Sequence, residues 1–415
     1  MSLALDAVYG VVAAVTMPWW MRKARSGWAE RFGKGEALPP PREGTPRLLL
    51  HTVSVGETNL VRPLVERLSA RADVVVSAST DTGIERARTL YASRAAVVRY
   101  PLDASWSVRR FLDRVRPDAV ALVELELWPN FATECRRRGI PLAVINGRLS
   151  ARSFSRYRKG RAFIGRYFRQ LAFAAVQDRD YAGRFVEMGV ARDRCHVIGT
   201  MKWDAADVSG SVPGADALAE EMGIDRSRPL IVAGSTAPGE HEALHAACPP
   251  GVQLLCAPRR PEWFDQAAAA LGDCSRRSSR SRAPAGAGRF LLDTIGELRK
   301  AYALCDVAVV GRSFGTLYGS DPMEPAALGK PVVIGPSVAD FAATVDAMKT
   351  DGAIIQTPVD GLAEVLRRLI ERPTERTALG ERARRCVLAH QGATARHADL
   401  LLDLLKRRAG DGGAS

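Results

Sequence analysis

Leu48-Leu49-Leu50-His51-Thr52-Val53-Ser54-Val55-Gly56-Glu57 is the stretch that decides the architecture. Its apolar run enters like a buried strand. From Thr58 to Arg71 the apolar residues Leu60, Val61, Leu64, Val65 and Leu68 then recur at helical spacing. Gly56 reads as the sharp turn between the two. Glu57 therefore falls at a strand-to-helix junction, on the edge of an open α/β sheet where ligands bind. A carboxylate there can accept a proton. It can equally cap the helix, where the dipole favours an acid.

The same alternation runs outward from this stretch. Apolar, β-branched runs at 47–53, 73–79, 96–100, 119–125, 140–145, 172–177 and 195–198 are separated by helical patterns such as Val108–Val115 and Tyr181–Met188. That is a parallel, doubly wound sheet covered on both faces. Residues 205–228, with Gly210, Pro213, Gly214 and Gly223, read as a linker. Strands then restart at 229–234, 252–257, 289–293, 306–311, 331–335 and 353–356. The expected layout is an anchor at 1–22, a first α/β domain at 23–204, the linker, and a second domain at 229–373. A C-terminal helical segment at 374–415 would brace the domains. Ser275–Gly288 interrupts the second half as an expected mobile surface loop, whose Arg276, Arg277, Arg280 and Arg282 read as solvated.

A length of 415 residues exceeds one ordinary core, in agreement with two domains. A hydrophobic share of 47% and a charged share of 25% are globular rather than disordered. The net charge of +13 and pI near 9.8 point to a polyanionic partner. Nucleic acid is disfavoured, because no basic stripe is interleaved with aromatics and no binding motif is present. The seven cysteines show no CxxC spacing and read as reduced, mostly buried thiols. No His/Cys cluster has zinc spacing; His241 and His245, four apart, could share a metal, but with no third ligand nearby they read as surface or capping residues, and no metal or cofactor is expected.

Leu3–Trp20 is apolar apart from Asp6 and small hydroxyl residues, ends in Trp19-Trp20, and is followed by Arg22, Lys23, Arg25, Arg31 and Lys34. Positive charge after rather than before the apolar run argues against a signal peptide. Paired tryptophans suit a membrane boundary, and the cations after them would keep the rest of the chain in the cytoplasm. The segment reads as a membrane anchor, spanning or interfacial.

Four further motifs fall at strand ends. Glu124-Leu125-Glu126-Leu127-Trp128-Pro129-Asn130 puts two carboxylates on one face, suited to orienting sugar hydroxyls or to pairing with Arg148. Gly234-Ser235-Thr236-Ala237-Pro238-Gly239-Glu240 reads as a phosphate cradle at a helix start. Pro258-Arg259-Arg260-Pro261-Glu262 brings a guanidinium to the same edge. Gly311-Arg312-Ser313-Phe314-Gly315, followed by Gly319-Ser320-Asp321-Pro322-Met323-Glu324-Pro325, sets Glu324 where ribose hydroxyls are commonly held.

In combination and in this order, these motifs resemble the Kdo (3-deoxy-manno-octulosonate) transferases of lipopolysaccharide synthesis. Ser79-Thr80-Asp81-Thr82-Gly83, Ile145-Asn146-Gly147-Arg148, Gly199–Asp204 and Asp293-Thr294-Ile295-Gly296-Glu297 extend the likeness over nearly the whole chain. The resemblance implies an inverting, metal-independent GT-B glycosyltransferase with two Rossmann-like domains facing a cleft. Its donor would be CMP-Kdo and its acceptor a phosphorylated lipid A precursor (lipid IVA), with the catalytic domains on the cytoplasmic face of the inner membrane. It implies Glu57 as general base and Ser54, Gly56, Glu124 and Glu126 as acceptor-side residues. Lys202, Ser235, Thr236, Pro258, Arg259, Gly296, Ser313, Asp321 and Glu324 would hold the donor. The chain departs from the family pattern where Ser320 and Asp321 replace a His-Asn pair and Arg260 replaces a His. Asp321 beside a phosphate would call for a partner such as Arg312. A different nucleotide-sugar donor and a sugar-nucleotide 2-epimerase remain as alternatives.

Overall fold

Fourteen strands form in the computed structural model, which describes residue 6 and residues 26–279 and 286–412. The chain divides at Ala205/Ala206 and again at Gln391/Gly392, giving two compact units. The first holds β1 (Arg47–Thr52), β2 (Asp73–Ala78), β3 (Ala96–Arg99), β4 (Ala119–Val123), β5 (Leu142–Gly147), β6 (Phe173–Val176) and β7 (Cys195–Val197). They pair in parallel in the order β3-β2-β1-β4-β5-β6-β7. Side chains alternate across a strand, so Leu48 and Leu50 enter one core and Leu49 the other, all fully buried. Each contributes roughly 1.5–3 kcal/mol relative to exposure.

The expected single helix after β1 is two, Val55–Leu60 and Arg62–Leu68. Pro63 cannot donate to a continuing helix, but it fits the first turn of a new one.

Arg31, one of the cations that follow the apolar N-terminal run, is buried. It meets Asp81 at 3.0 Å, and Arg99 meets the same carboxylate oxygen at 2.6 Å. The expected anchor at 1–22 lies outside the described residues except for Asp6, whose carboxylate accepts from the Ser105 backbone and Asn130 Nδ2. Among the described residues no helix is long and apolar enough to cross a membrane.

The second unit holds β8 (Leu230–Thr236), β9 (Gln253–Pro258), β10 (Ser275–Arg276), β11 (Arg289–Leu291), β12 (Val307–Val310), β13 (Val332–Ile334) and β14 (Ile355–Gln356). Their parallel order is β10-β11-β9-β8-β12-β13-β14. Three expectations are corrected here. Within the supposed linker, Ala215–Met222 is a helix whose Leu218 and Met222 belong to this unit's core. The supposed loop at 275–288 begins as an edge strand, with Arg276 on Asp293 at 2.7 Å and Arg277 on Glu297 at 3.1 Å; Arg280 and Arg282 lie outside the described residues. The C-terminal stretch splits: helix Pro373–His390 stays in the second unit, and helix Ala393–Gly412 buries Leu401, Leu402 and Leu405 in the first unit's core.

Candidate active site

β1 and β4 are neighbours from which the chain leaves in opposite directions, so a crevice opens above their carboxyl ends. Glu57 stands over β1. Ser54 is the N-cap of helix Val55–Leu60, and its Oγ accepts from Glu57 N–H at 3.4 Å. The Glu57 carboxylate reaches back, accepting from Val53 N–H at 2.8 Å and Ser54 O–H at 3.1 Å. This is a capping box shifted by one residue. The capping reading is met by these bonds, which also hold the carboxylate in one position. Gly56 makes no turn, since it is helical. A Cβ added there would meet only Ser54 Oγ at 3.7 Å, so glycine leaves open space beside the carboxylate.

From β4 come Glu124 and Glu126. Glu124 has φ 60, a costly conformation for a non-glycine residue. Asn146, Ser235 and Arg312 share such values, each at or just past the end of a strand, so backbone strain gathers along both carboxyl edges. Glu126 accepts from Trp128 Nε1 at 2.8 Å rather than pairing with Arg148. Glu57, Glu124, Glu126, Arg148, Ser153 and Tyr157 line one cavity of about 240 Å³. Burial, reinforced by the charges of Glu124 and Glu126, pushes the Glu57 carboxyl up to about 7 despite its hydrogen bonds. Burial likewise raises Glu126. A carboxylate titrating near neutrality is matched to taking a proton from a hydroxyl.

Sequence reasoning missed the helix that walls this cavity. Ala151–Lys159 contributes Ser153 and Tyr157, buries none of its own residues, and carries Arg152, Arg156, Arg158 and Lys159. Four cations in nine residues was the available signal.

In the second unit, Ser235, Pro258, Arg259, Gly296, Asp321 and Glu324 all fall in or after the carboxyl ends of parallel strands. Arg259 is exposed, and burial raises the Glu324 carboxyl while Arg299 opposes the rise. Two expected donor residues are not available there as side chains. Thr236 is fully buried, its Oγ1 2.8 Å from His241 Nε2. Ser313 is fully buried, donating to the Val310 carbonyl and accepting from Gly335 N–H.

Within the expected phosphate cradle one donor is already taken: Glu240 accepts the Ala237 N–H, together with the backbone N–H groups of Arg312, Ser313 and Phe314, at 2.8–3.0 Å. Asp321 accepts from Met323 N–H at 2.9 Å, just before the helix Met323–Ala327. Lys202 sits half-buried on the turn Met201–Ala205 of the first unit. Away from these edges, Asp351, Cys386 and His390 converge, a grouping no spacing rule had indicated.

A family profile described as 3-deoxy-D-manno-octulosonic-acid transferase (kdotransferase) matches residues 26–205. The 3-deoxy-D-manno-octulosonic acid transferase of Bordetella pertussis is 33% identical, over 96% of this chain and 98% of that protein. The enzyme of the same name from Haemophilus influenzae is 31% identical over 92% of both chains. By fold, the chain is similar to MurG of Acinetobacter baumannii, with a TM-score of 0.56 at 16% identity, covering 86% of this chain and 99% of that one. That likeness identifies two parallel-sheet domains of the GT-B kind.

Proposed function

This chain belongs to the 3-deoxy-D-manno-octulosonic acid (Kdo) transferase family, and we propose from that premise how it transfers Kdo from CMP-Kdo to a hydroxyl of a lipid A precursor. Glu57 removes the acceptor hydroxyl proton as the oxygen attacks the anomeric carbon. The new C–O bond forms as the bond to phosphate breaks, CMP leaves with the electron pair, and configuration inverts. The observation that carries this reading is the Glu57 carboxyl, pushed up to about 7 and fixed by Val53 and Ser54 beside Glu124 and Glu126. Family membership removes the footing of the isomerase alternative.

Glu124 and Glu126 orient acceptor sugar hydroxyls. The cations of helix Ala151–Lys159 meet acceptor phosphates and the anionic membrane surface, a role that suits a basic helix with an apolar side. On the donor side, Arg259 takes the CMP phosphate and Glu324 the ribose hydroxyls. The acidic cluster works through proton transfer and hydrogen bonding, with no metal step. The test is transfer from preformed CMP-Kdo to a tetraacylated, bisphosphorylated lipid A precursor, with and without EDTA. Transfer that survives EDTA and is lost in Glu57→Gln supports the assignment. Unchanged turnover in the variant removes Glu57 as base.

A further inference from the structure

A cavity in the first unit lies on the opposite edge of its sheet from Glu57. It measures about 610 Å³ and is bordered by Gly139–Leu142 at the entry to β5, Gln170 just before β6 and Arg194 just before β7. In a parallel sheet these are all amino ends, whereas Glu57 and Glu124 follow carboxyl ends.

Its chemistry is one-sided. Arg136, Arg166, Arg169 and Arg194 line it, and no carboxylate does. They come from three separate elements: helix Pro129–Arg137, helix Arg161–Arg169 and the turn Arg192–Arg194. A further guanidinium, that of Arg408 in the C-terminal helix, lies within 4 Å of where a Cβ on Gly139 would sit. Arg166 is stacked 3.9 Å over the Phe163 ring, which fixes its plane. Arg136, Arg169 and Arg194 are exposed around the cavity, so their charges face it from solvent. Arginine from several directions is the arrangement that grips a phosphate through paired N–H groups.

We propose that this cavity is a second anion site, separate from the transferase centre, which binds a phosphate-bearing ligand. Its position at the amino edge keeps it apart from the acceptor cavity in the same unit.

The test is calorimetric titration of the full-length chain with inorganic pyrophosphate at matched ionic strength. It compares wild type, Arg169→Ala/Arg194→Ala, and Lys349→Ala/Arg385→Ala as a control for general charge. A second arm measures flotation with phosphatidylglycerol vesicles. The cavity variant is expected to bind pyrophosphate roughly tenfold or more weakly at one site, since each charge-assisted contact is worth that much. The control variant should match wild type, and Kdo transfer should be unchanged in both. Loss of pyrophosphate binding assigns the site to a soluble phosphate compound. Loss confined to vesicle binding assigns it to a lipid headgroup. If the double variant fails to fold, Arg194→Gln carries the same comparison. Equal binding by cavity variant and wild type in both arms overturns the proposal.

Discussion

Both units place a Gly-Glu pair shortly after their first strand, Gly56-Glu57 after β1 and Gly239-Glu240 after β8, yet the two carboxylates have opposite fates. Glu240 is buried and accepts four backbone N–H groups, three of them from the segment following β12. It ties the two sides of its switch point together. Glu57 accepts one backbone N–H and one hydroxyl, remains partly open, and faces Glu124 and Glu126 across a cavity. Residue type and position along the fold therefore do not decide whether a carboxylate is saturated as a brace or left able to take a proton. The number of donors aimed at it, and the charges opposite, do.

The largest expected effect comes from breaking the saturated carboxylate. Glu240→Ala orphans four N–H groups, two of them in fully buried surroundings, at about 1–3 kcal/mol for each buried one. Chemical denaturation should show the second unit severely destabilised or unfolded. Glu57→Gln keeps an acceptor for Val53, so thermal unfolding should change little at low pH. Transfer should nevertheless fall roughly 10²–10⁴-fold, the usual contribution of a positioned base, while CMP binding by calorimetry stays intact. A result in which Glu57→Gln unfolds and Glu240→Ala merely slows turnover would reverse the comparison.

The pH dependence sharpens it further. Glu57 is raised from 4.5 to about 7, so its carboxyl is protonated below that value and, in the proposed role, cannot take a proton there. The kcat/KM of wild type should rise with pH and level off above about 7, measured at fixed ionic strength. Smaller, but of fixed sign, is the effect on stability. The unfolded chain releases this proton near 4.5 and the folded chain near 7. Between those values the folded state binds more protons, so stability falls as pH rises through the window. The Tm of Glu57→Gln relative to wild type should therefore climb between about pH 4.5 and 7 and stay flat above.

Much of this fold is legible in the sequence because strands buried on both faces must be continuous apolar runs. Val74-Val75-Val76 and Val307-Ala308-Val309-Val310 announce themselves in that way. β10 does not. Ser275 and Arg276 are half-buried and polar, and Arg276 is held by Asp293, seventeen residues further on. Glu57, Glu124 and Glu126 are legible as residues at strand ends, and the sheet order then brings them into one cavity. The duty of Glu240 is not legible, because its partners Arg312, Ser313 and Phe314 lie more than seventy residues away. Nor is the burial of Arg31, since its carboxylate partner comes from beyond β2. Local patterns report which face of an element is apolar. They carry nothing about which distant donor will find a given acid.

The return of helix Ala393–Gly412 to the first core bears on how the molecule is made. At ordinary synthesis rates of about 5–20 residues per second, the chain from Ala206 to Gln391 takes on the order of ten to forty seconds to appear. Throughout that interval the groove awaiting Leu401, Leu402 and Leu405, walled by Leu64 and Leu68, stands uncovered. The second unit can close on the ribosome while the first is still missing its last layer. The unit that emerges first is thus the one that finishes last, and a premature stop a few turns short would spare the second unit and cripple the first.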